Sequence, residues 1–189
     1  AGLALAVADV NAELSRRQRG YGRGGRMAIE SDQARFLAGV RLGRTLGTPI
    51  AILVENRDHA NWLEAMSPEE RPPAQGGPRS GRVSVPRPGH ADLAGLAKYG
   101  HDDVRDVLER ASARETVGRV AAGAVCKKLL AEFGVTVRGR VLAIGSVHSP
   151  PSDLCDPHGV AWEQVEASPV GCAHEQTAEA MCAAIDEAR

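Results

Sequence analysis

Apolar residues recur at helical spacing in three parts of the chain, and each part predicts an amphipathic helix. The first covers residues 9–17, with the aspartate at its first position as the N-cap. The longest starts at one of two adjacent aspartates, Asp102 or Asp103. It ends at Gly134, a residue type that commonly follows a helix C-terminus. The third covers residues 175–189, with its inward face formed by Ala178, Met181, Cys182 and Ile185.

The remaining apolar runs have the alternation of β-strands. Residues 36–43 and 48–55 flank a short glycine-containing segment, residues 44–48, so we expect an antiparallel hairpin with its turn in that segment. One further strand is predicted to begin at Met27, and another covers residues 135–144. Helices and hairpins follow in blocks rather than in β-α-β alternation, which favours the α+β class.

Composition narrows the class of protein. The chain has 189 residues, 43% apolar, 25% charged and only 3% aromatic, with a net charge of −1. We therefore expect no partner that is nucleic acid or membrane, and no apolar run approaches the roughly 20 residues of a membrane span. The four cysteines form no C-x-x-C pair and no signal peptide is evident, so we expect free thiols in a cytoplasmic protein. The histidines lack metal-ligand spacing, so no metal is expected.

The first basic segment covers residues 16–26 and holds five arginines and four glycines. Its glycines let backbone amides approach a ligand, and guanidinium groups pair bidentately with phosphate or carboxylate. The alternatives are a disordered RNA-binding segment or a solvated loop. A short, unrepeated segment between a predicted helix and a predicted strand favours a folded anion site.

Two further segments are candidates for the same kind of ligand. One has the sequence VPRPGHAD, in which Arg87 lies between two prolines and His90 follows a glycine, where an imidazole can transfer a proton near neutral pH. The other, ERASARET, places Arg110 and Arg114 on one helix face, where they repel unless an anion lies between them. A hydrogen-bonded loop histidine and exposed Glu–Arg pairs are the respective alternatives. The residues alone indicate a small polyanion and no particular reaction.

These segments, in this order and at this separation, resemble those of chorismate synthases. The matching stretches are RRQRGYGRGGRMAIESD, GTPIAILVEN, RPGHAD, KYGHDDVRDVLERASARETVGRVAAGAV and EASPVGCAHEQTAEAMCAAIDEAR. RPGHAD and ERASARET together are highly specific for this family. The resemblance implies an α+β fold, a β-α-β sandwich with antiparallel sheets and a long helix. We expect residues 1–189 to be one partial domain, truncated at both ends, of a protein that is a homotetramer at full length.

The reaction that the resemblance implies belongs to the shikimate pathway of aromatic amino acid biosynthesis. It is the conversion of 5-enolpyruvylshikimate 3-phosphate to chorismate and phosphate by 1,4-elimination. The family requires reduced FMN, although there is no net redox change, and NADPH reduces the flavin in bifunctional members. The family's opening GESHG segment and its second half are not in this chain, so we expect the chain alone to be inactive.

The resemblance also implies residue roles. His90 matches the histidine assigned to protonate the reduced flavin and is the implied catalytic residue. The implied substrate ligands are Arg23, Arg26 and Arg87, and the implied cofactor-binding residues are Arg17, Arg23, Arg110, Ala111 and Ser112. Two positions depart from the family pattern, Leu93 in place of a tyrosine and Gly171 in place of a basic residue.

Three alternatives remain open at this point. An RNA-binding module built on residues 16–26 would bind RNA with a steep dependence on salt. A flavin oxidoreductase would use the same cofactor for net hydride transfer. A paralogue without catalytic activity is the third. A lyase differs from an oxidoreductase in that it releases phosphate without consuming reductant in each turnover.

Overall fold

The structure is a computed structural model in which the chain divides into two compact units. Unit 1 comprises Ala1–Leu14 and Asp32–Val125, and unit 2 comprises Ser15–Ser31 and Cys126–Arg189. The residues that the structure describes are 1–22, 32–57, 59–69, 81–111, 113–151 and 159–188, without the side chains of 109–111, 113 and 114. The strand expected at Met27 lies outside them.

Unit 1 combines helices with small antiparallel sheets. Its elements are helix α1 (Val7–Gln18), strands β1 (Ala34–Ala38), β2 (Val40–Arg41), β3 (Arg44–Thr45) and β4 (Ala51–Val54), a 3₁₀ turn (His59–Asn61), and helices α2 (Asp92–Tyr99), α3 (Arg105–Ala111) and α4 (Ala113–Ala131). Helices α1 and α4 each have residues in both units. Strand β1 pairs with β4, and β2 pairs with β3.

The predicted antiparallel pairing is confirmed, but the predicted position of the turn is wrong. Ala34 lies opposite Val54 in the β1–β4 pair. The tight turn is formed by Leu42 and Gly43, which have φ values of 49° and 71°. Positive φ at both central residues is the conformation of two-residue hairpins whose twist matches their strands. Strand β3 therefore lies inside the segment that was expected to be the turn.

The core of unit 1 confirms the helix predicted over residues 9–17. Val10 and Leu14, one turn apart on α1, are fully buried. They form one cluster with Ala34 of β1 and with Ala121 and Ala124 of α4. Because the α4 residues are alanines, the helix backbone can approach its neighbours closely.

The N-cap expected at Asp9 is wrong, because α1 begins two residues earlier, at Val7. Asp9 instead lies in the first turn, and its Oδ2 accepts a hydrogen bond of 2.8 Å from the backbone N–H of Ala6. A side chain at the third helical position that reaches back to the capping residue is one half of a capping box. The carboxylate still satisfies an exposed amide at this end of the helix.

The long helix predicted from Asp102 or Asp103 corresponds to two helices, α3 and α4. They lie on either side of Ser112, which is outside the described residues. Helix α3 begins at Arg105, two residues after Asp103, and Oδ1 of Asp103 accepts the backbone N–H of Arg105 at 3.0 Å.

The expected end at Gly134 is also confirmed. Gly134, at φ 71°, donates its N–H to the carbonyl of Ala131, and Val135 donates to Leu130, each at 3.0 Å. This pair of bonds is a Schellman motif, which satisfies the last carbonyls of the helix.

Unit 2 has a smaller core around a short hairpin. Its further elements are strands β5 (Ala143–Ile144) and β6 (Val147–His148) and helices α5 (Trp162–Ala167) and α6 (Glu175–Glu187). Cys172, Ala178 and Met181 are buried together. The helix predicted over residues 175–189 is thus confirmed as α6, with Ala178 and Met181 inward.

The strand predicted over residues 135–144 is wrong for most of its length. Only Ala143 and Ile144 belong to a strand. Val135 and Val137 are 46% and 51% exposed, so the alternating valines do not cover a core. An alternating pattern forms a strand only where a second strand pairs with it, and no described strand pairs with residues 135–142.

Helices and small antiparallel sheets confirm the expected α+β class. Cys126, Cys172 and Cys182 are free thiols, whereas Cys155 lies outside the described residues. In the described parts of the chain, no helix has the length and apolar character needed to cross a membrane.

Gly39 gives the first testable prediction, because the β1–β4 register shifts beside it and its φ is 86°. A Cβ at this position would lie 2.7 Å from the Cα of Ile50. We expect Gly39→Ala to lower the free energy of unfolding by about 2–4 kcal/mol, from strained φ and overlap together.

The matched control is Gly43→Ala, since Gly43 also has positive φ but has open space around it. Gly43→Ala should lower the free energy of unfolding by only about 1–2 kcal/mol, because it adds strain from the positive φ but no overlap. Urea unfolding followed by circular dichroism measures both variants. Equal losses would show that the contact with Ile50 is unimportant.

Candidate active site

A tight turn in unit 1 brings together the two residues expected in the RPGHAD segment. The N–H of His90 donates to the carbonyl of Arg87 at 3.2 Å. Pro88 and Gly89 are the central residues, and Gly89 has a φ of 69°. Proline followed by a residue with positive φ is typical of a type II turn. The turn leads directly into α2, whose first residue is Asp92.

Asp92 holds Arg87 through three hydrogen bonds. Its carboxylate is fully buried, with 0% of the side chain exposed. Oδ2 accepts Nε of Arg87 at 2.8 Å and the backbone N–H of Arg87 at 3.0 Å, while Oδ1 accepts Nη2 at 3.0 Å. This fork arrangement fixes the plane of the guanidinium as well as its position.

His90 completes the cluster. Its Nδ1 lies 2.6 Å from Oδ1 of Asp92 and 3.0 Å from Nη2 of Arg87. The imidazole is 30% exposed and the Arg87 side chain 50% exposed, so both groups border solvent while the carboxylate does not. The arrangement can present a proton-transfer group and an anion-binding group side by side.

The same contacts determine the charges. Hydrogen bonds from the Arg87 side chain hold the pKa of Asp92 well below its usual range, although burial acts in the opposite direction. The hydrogen bond with Asp92 raises the pKa of Arg87. Asp92 and Arg87 are therefore both ionised, and their opposite charges cancel within the cluster.

The other predicted site residues are only partly described. Arg17 lies in the last turn of α1, in unit 2, and is half-buried. Arg110 and Ala111 belong to α3, but their side chains are not described. Arg23, Arg26 and Ser112 lie outside the described residues. The structure thus brings Arg87 and His90 together, and the meeting of three basic segments at one ligand stays a prediction.

The first part of the arginine- and glycine-rich segment is held within unit 2. The hydroxyl of Tyr21 donates to Oδ2 of Asp186 at 2.6 Å, and its N–H donates to the carbonyl of Pro169 at 3.0 Å. Arg16 lies 3.8 Å from Glu166. A cavity of about 300 Å³ is bordered by Arg16, Tyr21, Glu166 and Pro169. Such contacts favour a folded segment over a disordered one for residues 16–22.

Comparison with known proteins decides the family. The family model described as chorismate synthase matches residues 1–189. The chain belongs to the chorismate synthase family. The resemblance seen in the sequence is thereby confirmed.

Individual relatives agree with this assignment. Chorismate synthase 1 of Bacillus thuringiensis is 52% identical over 189 residues, and a chorismate synthase of Listeria innocua is 53% identical over 191. In both cases the match covers 100% of this chain and 48% of the relative. A solved chorismate synthase structure matches 98% of the chain with a TM-score of 0.69 and 36% identity, covering 46% of that protein. The chain thus spans about half the length of the relatives it matches.

Membership of the chorismate synthase family leaves the residue roles untested, and the geometry adds one residue that the sequence analysis missed. Asp92 belongs to the RPGHAD motif, but its residue type there does not by itself indicate a role. The feature of the sequence that could have identified Asp92 is its spacing, because an aspartate at a helix start can form a hydrogen bond with a histidine two residues before it.

Leu93, where the chain departs from the family pattern, is 66% exposed. Among the side chains that the structure describes, no three His, Cys, Asp or Glu groups could hold a metal ion.

Asp92 also gives a prediction about stability and pH. Its folded-state pKa lies below the unfolded value of about 3.9, so its contribution to stability is complete above that pH. The contribution declines as the pH falls further. We expect Asp92→Asn to lower the free energy of unfolding by about 1.5–3 kcal/mol at pH 7, and to weaken its pH dependence below about pH 4.

Urea unfolding between pH 7 and pH 3 measures both effects. Asp102→Asn is the control, since Asp102 pairs with Arg82 at 3.0 Å but is 82% exposed. An exposed pair contributes less than about 1 kcal/mol. An Asp92→Asn chain whose stability follows the wild-type pH curve would contradict the buried ion pair.

Proposed function

We propose that the chain forms part of a lyase that converts 5-enolpyruvylshikimate 3-phosphate to chorismate and phosphate. Family membership supports the reaction class. Within the chain, the supporting observation is the buried carboxylate of Asp92, which holds Arg87 and His90 at hydrogen-bonding distance. In a 1,4-elimination the carbon–oxygen bond to phosphate breaks and a proton leaves another ring carbon. The reaction therefore needs anion-binding groups and a proton-transfer group.

Arg87 suits the first requirement. Its described contacts with Asp92 use Nε and Nη2, and a guanidinium has five N–H donors. The two Nη1 donors can serve a carboxylate or a phosphate of the substrate. Because the Asp92 contacts fix the plane of the group, little side-chain entropy remains to be lost on binding. In this proposal Arg87, with Arg23 and Arg26, binds the substrate anions.

His90 suits the second requirement. The imidazole borders solvent and is anchored through Nδ1, which leaves Nε2 to carry a proton to or from a bound partner.

The imidazole of His90 and the guanidinium of Arg87 together form a donor set that fits reduced FMN, which is electron-rich and anionic. When bound, reduced FMN supplies electron density to the carbon–oxygen bond that breaks. Arg17, Arg23, Arg110, Ala111 and Ser112 are proposed to hold it.

The finer expectations rest on the family resemblance and are proposed with it. They are NADPH as a source of reducing equivalents, a homotetramer at full length, a cytoplasmic location and a single larger domain of which residues 1–189 are one part. The contacts of Tyr21 and the net charge of −1 make an RNA-binding module the weaker candidate. A flavin oxidoreductase remains the closer alternative, because the same cluster suits hydride transfer.

Phosphate release tests the proposed reaction. The 189-residue chain by itself should neither bind FMN tightly nor release phosphate from 5-enolpyruvylshikimate 3-phosphate. A chimera in which the chain replaces the matching half of the Bacillus thuringiensis relative should release phosphate anaerobically with reduced FMN. It should consume no reductant in each turnover. Turnover by the isolated chain would contradict the first part, and reductant consumption would favour the oxidoreductase.

The role of His90 is tested in the same chimera. Loss of a positioned proton-transfer group commonly slows a reaction by about 10²–10⁴-fold, so His90→Gln should lower kcat by that order and leave KM nearly unchanged. His101→Gln is the matched control, since His101 is a half-exposed histidine 3.8 Å from Asp106. A His90→Gln chimera with wild-type kcat would exclude this role.

A further inference from the structure

We infer that Asp92 is a positioning residue. Its carboxylate determines the tautomer of the neutral His90 ring, the one with the proton on Nδ1. Nε2 then carries the lone pair, so it must accept a proton before it can donate one to a partner. The inference rests on the proposed role of His90 and adds the group that sets the state of its ring.

Nδ1 of His90 has two possible hydrogen-bond partners, and the neutral ring can use only one of them through this atom. Nδ1 lies 2.6 Å from Oδ1 of Asp92, an acceptor, and 3.0 Å from Nη2 of Arg87, a donor. In a neutral imidazole one nitrogen donates and the other accepts. Nδ1 must therefore either donate to the carboxylate or accept from the guanidinium.

The shorter contact decides between them. Without a proton on Nδ1, two lone pairs would face each other at 2.6 Å, which is repulsive. With the proton there, the contact is a short hydrogen bond to an ionised acceptor, the stronger class of hydrogen bond. When Nδ1 carries the proton, Nη2 of Arg87 still has an acceptor, because it donates to Oδ1 of Asp92 at 3.0 Å.

Asp92 is well placed to impose this choice, because it cannot easily turn away. The carboxylate is excluded from solvent, and Arg87 donates three hydrogen bonds to it. It also lies at the first residue of α2, an eight-residue helix, where the backbone favours negative charge. The acceptor that faces Nδ1 is therefore rigid.

An asparagine at this position should reverse the state of the ring. The Nε and backbone N–H groups of Arg87 need an acceptor, so the amide oxygen should take the place of Oδ2. The amide NH₂ group then faces Nδ1 and donates to it. His90 would keep its position but carry its proton on Nε2, so that Nε2 could no longer accept a proton from a partner.

Long-range ¹H–¹⁵N correlation NMR of the 189-residue chain tests the inference, at a pH where the ring is neutral. The signals of His90 are identified by their loss in His90→Gln. In the wild-type chain we expect a protonated Nδ1 and an unprotonated Nε2. A wild-type ring protonated mainly on Nε2 would overturn the inference, whether or not any variant of Asp92 folds.

Variants separate positioning from a purely structural role. Asp92→Asn should move the proton to Nε2, whereas Asp102→Asn, at an exposed carboxylate in the same unit, should leave the His90 spectrum unchanged. A folded Asp92→Asn chain that keeps the proton on Nδ1 would contradict the inference. Neither flavin nor substrate is present, so this result is independent of the phosphate-release experiment.

Discussion

A carboxylate that is removed from water keeps its charge only where N–H donors replace the lost hydration. Asp92 meets this condition almost entirely through one neighbour, since Arg87 supplies two side-chain donors and one backbone donor. The contact between Asp92 and Arg87 therefore stabilises the conformation of the turn, fixes the plane of the guanidinium and holds both against the start of α2. His90 lies within the turn, so its position depends on the same contact.

The charge balance of the cluster explains why it cannot be a whole substrate site. Arg87 and Asp92 carry opposite charges in direct contact, so together they offer a substrate directed hydrogen bonds rather than a net positive field. A ligand with one phosphate and two carboxylates needs further positive charge. Each additional ion pair between ligand and protein at about 4 Å contributes roughly 4 kcal/mol near a protein surface. Arg23 and Arg26 are the residues in this chain proposed to supply it.

The parts of the fold that sequence predicts well are those fixed by local rules. The spacing of Val10 and Leu14 determines α1, and Gly134 ends α4 because positive φ suits glycine there. The failures have non-local causes. Residues 135–142 alternate as a strand would but have no described partner, and Leu42 takes a positive φ that its side chain does not favour.

The site was predictable to a different extent. Arg87 and His90 are recognisable from their residue types, because both are polar groups presented by a proline- and glycine-containing turn. Asp92 was harder to recognise, since an acidic residue at a helix start is usually explained by the helix dipole alone. Only its burial and its contacts with both neighbours show that it connects them.

The local origin of the cluster also limits what it can specify. Arg87, His90 and Asp92 lie within six residues, so their geometry depends on one turn and one helix start rather than on the rest of the chain. Such a unit can position a proton next to an anion in an elimination or in a hydride transfer equally well. What separates these reactions is whether a phosphate leaving group is stabilised as its bond breaks, which requires donors beyond this turn. The proposal of a lyase therefore depends on the family for the reaction, and on the cluster for the groups proposed to carry it out.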